Sequence, residues 1–170
     1  KSGNLNVGIE ESMFDGQKVS KSRIITSVDY SMVSMEAFEI YAANHDIHVM
    51  DFVLKLDAYS YYMMNLLDYL IGNTDRHWGN WGFLVDNRTN QPVRLFDLMD
   101  LNQTFLAYDT PDGANCMTTG NRKMSQREAA VEAVKKIGLN QRAEIKDEWF
   151  EGREKEREMF WCRFGILKEQ

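Results

Sequence analysis

The sequence has 170 residues, of which 44% are hydrophobic, and this is enough to bury the core of one domain. Its net charge of -6 disfavours a general nucleic-acid surface, which is normally basic, so we expect no direct nucleic-acid contact. No apolar run approaches the roughly 18 residues that span a membrane, and the first residues lack a signal-peptide pattern. Cys116 and Cys162 are too few for a disulfide scaffold. These features predict a cytoplasmic protein without membrane contact, and a first residue Lys1 in place of Met suggests a piece of a longer protein.

Turn and capping residues predict the first elements. Residues 7–12 and 17–26 flank Phe14, Asp15 and Gly16, and an Asp-Gly pair favours the tight turn of a β-hairpin. Residues 34–45 have the composition of a helix, with Ser34 as a candidate N-cap. The chain is therefore expected to open with a hairpin and continue into a helix.

The clearest helical pattern precedes a polar loop. Its apolar residues recur at intervals of three and four, the spacing of one buried stripe: Met63, Leu66, Leu67, Leu70 and Ile71. Gly72 suits the end of this helix. Residues 59–72 are therefore predicted to form a buried helix and 73–80 a loop. Residues 81–96 should form a two-stranded hairpin, with Pro92 at the start of the second strand, where it is tolerated.

The rest of the chain is predicted to be mainly helical. Residues 97–116 lack a clean periodicity and are expected to form an ordered loop. Residues 125–138 begin with a capping-box pair, Ser125 and Glu128, and end at Gly138, which predicts a helix. Residues 146–168 are predicted to be helical again. The predicted fold class is α+β and mostly α, with a small β-hairpin after the polar loop and another near the N-terminus.

The polar loop carries the residues with the most chemical interest. Asp75 and Asn80 have the spacing of the catalytic Asp and the metal-binding Asn in the protein-kinase loop H-R-D-L-x-x-x-N. A further carboxylate is expected after the hairpin, where kinases place the Asp of D-F-G, and the sequence supplies Asp97 and Asp100 there. Phosphoryl transfer needs a carboxylate to orient and deprotonate the attacking hydroxyl, and oxygen ligands to hold Mg²⁺. Any one of these residues is more simply explained by loop capping or packing, so the prediction depends on their order in the chain.

Two segments, NTDRHWGNWGF and LMDLNQTF, resemble the C-terminal lobe of HipA-like serine/threonine kinases, a branch of the protein-kinase-like fold. The loop of that family, approximately N-x-D-x-H-x-x-N, is matched by Asn73, Asp75, His77 and Asn80. The resemblance implies that Asp75 and His77 are catalytic, with Asp75 as the base. It also implies that Asn80 and Asp100 bind Mg²⁺ and, through it, ATP, with Asp97 as the alternative to Asp100.

The same resemblance implies a protein substrate phosphorylated on Ser or Thr, and a DNA-binding partner protein of the kind found in toxin-antitoxin systems.

The sequence lacks the glycine-rich G-x-G-x-x-G loop and the V-A-I-K strand of a kinase N-terminal lobe. Residues 1–30 are therefore predicted to be a hinge or a remnant of that lobe, and 31–170 the helical C-lobe, so that this chain alone is expected to be inactive.

Three alternatives stay open at this stage. The chain could be a non-catalytic interaction module that keeps the fold, or a regulatory subunit of a toxin-antitoxin or transcriptional complex. Phosphoinositide kinases also carry a D-R-H-x-x-N loop, so the motif does not identify the substrate. A metallohydrolase is disfavoured, because Asp75, His77 and Asp100 lack a second His at helical spacing.

Overall fold

The computed structural model describes residues 9–106, 108–139 and 144–170. The predicted N-terminal hairpin is present as β1 (Ile9–Phe14) and β2 (Gln17–Ser22), which pair antiparallel. Asp15 and Gly16 have φ angles of 49° and 76°, the left-handed conformation that both central residues of a type I′ turn adopt. The predicted residues 7 and 8 of the first strand lie outside the described residues. The assignment of residues 1–30 to a hinge or lobe remnant stays a prediction.

A three-stranded antiparallel sheet replaces the expected two-stranded hairpin. Strands β3 (Tyr30–Ser34), β4 (Gly82–Asp86) and β5 (Gln91–Leu95) lie in the order β3-β4-β5, so the predicted hairpin is found with one additional strand on it. At Gly82 a Cβ atom would lie 2.1 Å from the carbonyl oxygen of Val33. A glycine is therefore needed for β3 to approach β4 this closely.

Helix α1 (Met35–Ala43) begins where β3 ends, as the sequence predicted. Ser34 is its N-cap and accepts a hydrogen bond from the Ala37 N–H at 3.2 Å. Two further N–H groups at this end point at the polar loop: Met35 donates to the Trp81 carbonyl at 2.9 Å and Glu36 to the Trp78 carbonyl at 3.1 Å. The start of α1 thus holds the last residues of the polar loop in place.

Helix α2 (Val49–Ile71) consists of two helices merged across a break at Asp57, whose φ and ψ are −155° and 64°. The Asp57 carboxylate accepts the Ser60 N–H at 3.2 Å, as an N-cap does, and the Leu95 N–H of β5 at 3.1 Å. The half after the break corresponds to the helix predicted for 59–72. It ends at Gly72, whose φ is 62° and whose Cβ position would lie 2.2 Å from the ring of Tyr108.

The predicted apolar stripe of α2 is only partly buried. Leu66 and Leu70 are buried and the other three stripe residues are partly buried, and this face lines a cavity of about 420 Å³. The fully buried side chains lie on the neighbouring face, including Met64 and Tyr69. A second packed group consists of the rings of Phe38, Phe52 and Phe83, whose centroids lie 4.7 to 5.6 Å apart.

The C-terminal third is helical as predicted, with one interruption. Helix α3 (Gln126–Ile137) begins with the predicted capping box of Ser125 and Glu128. The segment predicted to be helical over 146–168 consists of a 3₁₀ helix (Asp147–Phe150) followed by α4 (Glu154–Lys168). Gly152 lies between them with a φ of 69°, which an α-helix does not permit. Within the described ranges, no helix has the length and apolar character needed to cross a membrane.

Candidate functional site

The polar loop lies between the end of α2 and the start of β4, and a buried guanidinium organises it. Arg76 is 3% exposed, and its Nε and Nη2 donate to the two carboxylate oxygens of Asp68 at 2.9 and 3.0 Å. Its Nη1 donates to the carbonyl oxygens of Asn80 at 2.9 Å and Met99 at 2.7 Å. One side chain therefore connects α2, the far end of the loop and the residue that precedes Asp100.

Asn80 and Asp75 are linked inside the loop. The Asn80 Nδ2 donates to the Asp75 carbonyl oxygen at 2.7 Å, which fixes the orientation of the amide because a carbonyl can only accept. The Asn80 Oδ1 is then the free end of the amide, and among the described residues nothing donates to it. Asn80 as a whole is buried, with 8% of its surface exposed. The Asn80 amide thus keeps one oxygen without a donor among the described residues, and the Asp75 side chain is 42% exposed.

His77 faces Asp75 in a defined tautomer. Its Nδ1 accepts the Gly79 N–H at 3.0 Å, so the proton of the neutral ring lies on Nε2. That Nε2 lies 4.0 Å from the Asp75 Oδ1. A Cβ atom at Gly79 would lie 2.8 Å from the His77 ring, so a glycine is required for this arrangement. The structure therefore brings the two predicted catalytic residues together.

The two candidate metal-binding carboxylates differ in their surroundings. Asp97 accepts a hydrogen bond from Arg94 Nη1, and its side chain is only 10% exposed. Asp100 is exposed and has a φ of 53°, a left-handed conformation that is uncommon outside glycine. Within the described residues, no group donates to its carboxylate. Asp100 is the more available of the two for a ligand.

Neighbouring elements brace the loop from behind. Gln126 of α3 donates to the Asn73 carbonyl at 2.6 Å, and the Trp78 indole donates to the Met117 carbonyl at 2.8 Å. Burial raises the pKa of Tyr61 to about 12 and also raises the pKa of the Cys116 thiol. Both groups are therefore neutral near pH 7 and place no extra charge behind the loop.

Helix α4 closes the end of α2. The fully buried Arg163 donates to the carbonyl of Tyr69 at 2.5 Å and to the carbonyl of Thr110 through Nη2 at 2.6 Å. Its guanidinium carbon lies 4.9 Å from the ring centroid of Tyr69 and 4.4 Å from that of Tyr108. Desolvation lowers the pKa of Arg163, yet an arginine stays protonated at neutral pH. The Tyr69 carbonyl, near the end of α2, thus receives a cation that lies far away in the sequence.

The sequence prediction missed Asp68, the buried partner of Arg76. Its position within the apolar run LLDYLI could have indicated it, because a carboxylate inside a packed helix needs a cation. In the described part of the chain, no three His, Cys, Asp or Glu side chains lie close enough together to hold a metal ion. A metal at this loop would therefore need the Asn80 oxygen, and Mg²⁺ sites commonly combine few carboxylates with water and phosphate oxygens.

No protein-family model and no curated protein matches the sequence. Among solved structures, the chain is similar to the proinflammatory kinase CtkA of Helicobacter pylori, with a TM-score of 0.61. The sequences are 13% identical, and the match covers 96% of this chain and 76% of CtkA. At this identity the likeness concerns the fold alone. This chain has a kinase-like fold.

Proposed function

We propose that this chain is the catalytic lobe of an ATP- and Mg²⁺-dependent kinase that phosphorylates a protein Ser or Thr hydroxyl. The observation that carries the proposal is the Arg76 side chain, which hydrogen-bonds both to Asn80 and to Met99. It brings the loop with Asp75 and Asn80 next to the segment with Asp100. These are the residues that a phosphotransferase needs on one surface, and they lie on a kinase-like fold.

The side chains present fit Mg²⁺ and ATP in part. Mg²⁺ prefers oxygen ligands, and the Asn80 Oδ1 and the Asp100 carboxylate are both free of other partners among the described residues, Asn80 being buried and Asp100 exposed. When bound, Mg²⁺-ATP would supply the phosphoryl group and the charge that offsets its oxygens. The same residues offer no grip on the phosphates comparable to a glycine-rich loop, so this part of the site is proposed to come from elsewhere.

Asp75 is proposed to orient the acceptor hydroxyl and to take its proton as the hydroxyl oxygen attacks. Its half-exposed carboxylate is open to an incoming side chain, whereas its backbone is fixed through Asn80 and Asn73. His77 is proposed to assist by directing its Nε2 proton towards the same carboxylate. The protein substrate and a DNA-binding partner protein are part of this proposal by resemblance to HipA-like kinases.

Metal binding tests the proposal without requiring turnover. We expect the wild-type chain to bind Mn²⁺ with a dissociation constant on the order of millimolar, as is common for a site with few ligands and no phosphate. Asp100→Asn should weaken this binding by at least roughly tenfold, since a ligand contributes no less than the outer partners of a metal site. Electron paramagnetic resonance of free Mn²⁺ measures both values.

The matched control is Asp51→Asn, which removes one exposed carboxylate at the start of α2, away from the loop. It should leave Mn²⁺ affinity unchanged. Equal losses in the two variants would indicate nonspecific attraction by a chain of net charge -6. A loss in Asp97→Asn with none in Asp100→Asn would move the ligand to Asp97.

A non-catalytic interaction module is the second candidate. It is favoured by the same two features that limit the metal site: the sequence has no glycine-rich loop, and fewer than three acidic or imidazole ligands converge among the described residues. Mn²⁺ binding that does not depend on Asn80, Asp97 or Asp100 would support this second candidate. The same result would support a role as a regulatory subunit.

A further inference from the structure

The Arg76–Asp68 pair has a geometry that stability alone does not require. Both residues are 3% exposed, and the guanidinium uses Nε and Nη2 for the two oxygens of one carboxylate. Replacing a buried ion pair by apolar side chains often leaves the stability of the fold unchanged or raises it. Stability alone therefore does not explain why such a pair is present. Its Nη1, which the carboxylate leaves free, reaches two carbonyl groups on different segments.

The anchor of this arrangement is helix α2. Asp68 lies one turn before the end of the helix, and its Oδ1 also accepts the Asn73 Nδ2 at 2.8 Å. The carboxylate therefore cannot rotate without breaking three hydrogen bonds. Through it, the position of the guanidinium is fixed relative to the helix, and the carbonyls of Asn80 and Met99 are fixed relative to the guanidinium.

We propose that Arg76 and Asp68 are positioning residues that set the spacing between the loop with Asp75 and Asn80 and the segment with Asp100. This inference rests on the proposed function, because the spacing matters only if these side chains share a metal and a substrate. A planar guanidinium fork is required, since it donates to a carboxylate on one edge and to both carbonyls from the remaining nitrogen. A lysine ammonium carries its three donors on one atom and cannot reach all four acceptors.

The test compares hydrogen exchange and Mn²⁺ affinity in three variants of the whole chain. Arg76→Lys keeps the charge and removes the fork, and Asp68→Asn keeps the shape and removes the charge of the anchor. Arg157→Lys is the matched control, because Arg157 also makes a two-point contact with a carboxylate, Asp147, at 2.8 and 3.1 Å, but on the exposed surface near α4. Exchange is measured by mass spectrometry well below the unfolding temperature of each variant.

In Arg76→Lys we expect faster exchange in residues 73–80 and 97–101 together, with Mn²⁺ affinity lowered by about tenfold, the usual effect of losing an outer partner of a metal site. Asp68→Asn should produce the same two changes, and its result decides the matter if Arg76→Lys does not fold. Arg157→Lys should change neither quantity.

Faster exchange in only one segment, or in neither, overturns the positioning role even if wild-type chain binds Mn²⁺ and the proposed function stands. Faster exchange in both segments with unchanged Mn²⁺ affinity also overturns it, because the spacing would then not matter to the metal. If the wild-type chain binds no Mn²⁺ at Asn80 and Asp100, the proposed function is wrong, and the positioning role that rests on it is wrong as well, whatever the exchange data show.

Discussion

The side chains of the loop divide into those that hold it and those that are available for chemistry. Asn73 and Arg76 are buried; the Asn73 amide donates to Asp68 and accepts the Asp75 N–H, and the Arg76 guanidinium donates to Asp68 and to two backbone carbonyls. Asp75 and His77 are about half-exposed. This division is typical of a reactive site, because groups that must bind substrate are free while their supports are fixed.

Substitution of Asp75 by Asn tests the proposed base. The amide keeps the size of the side chain but cannot accept the hydroxyl proton at neutral pH, so phosphoryl transfer should fall by roughly 10²- to 10⁴-fold. Affinity for Mn²⁺ should change little, because Asp75 is not a proposed ligand. The measurement is transfer of labelled γ-phosphate to casein in any active preparation of the protein, and full activity in Asp75→Asn would remove Asp75 from the mechanism.

At the scale of elements, the break in α2 has an identifiable cause. A single carboxylate caps the second half of the helix through Ser60 and also satisfies the Leu95 N–H of β5. A straight helix through Asp57 would leave the β5 N–H without this acceptor. The break therefore joins the helix that carries Asp68 to the sheet that follows the loop.

Asp57→Ala should destabilise the chain by about 1–3 kcal/mol, since it removes an N-cap and leaves a strand N–H without its acceptor. Urea unfolding followed by circular dichroism gives the free energy of unfolding. Asp57→Asn retains one acceptor oxygen and should recover part of the loss. A change below about 0.5 kcal/mol, the range of ordinary surface substitutions, would contradict the assigned role.

The elements that could be predicted are those whose ends are determined by residues close together in the sequence. Ser34, Gly72 and the Ser125–Glu128 pair all begin or end helices where expected, because caps act within one turn. Strand β3 was not predicted, since its pairing with β4 joins residues about fifty positions apart. The contact between Arg76 and Met99 is likewise a product of tertiary structure, so the supports of the polar loop could not be predicted, whereas the roles assigned to its exposed side chains stay predictions.

At the scale of the whole molecule, we expect the chain to form its fold without showing kinase activity. The likeness to CtkA extends over 96% of this chain, so the described elements suffice for a kinase-like fold. Transfer from ATP further requires donors over its β- and γ-phosphates, and no segment of the sequence has the glycine-rich pattern that supplies them.

The chain by itself should therefore unfold cooperatively, yet show little ATP hydrolysis or transfer and only weak ATP binding. Calorimetry with ATP, in the presence and absence of Mn²⁺, measures the binding, and phosphate release measures the turnover. Micromolar ATP affinity with sustained turnover would mean that the nucleotide is held by residues other than those proposed.

The contact of Arg163 with the end of α2 can form only late in the synthesis of the chain. Arg163 follows Tyr69 by 94 residues. At synthesis rates of about 5–20 residues per second, roughly 5–20 seconds separate the appearance of these two residues on a ribosome. Throughout that interval the Tyr69 carbonyl of α2 lacks its guanidinium, so the contact that joins α2 to α4 is completed only after the C-terminal helix has been made.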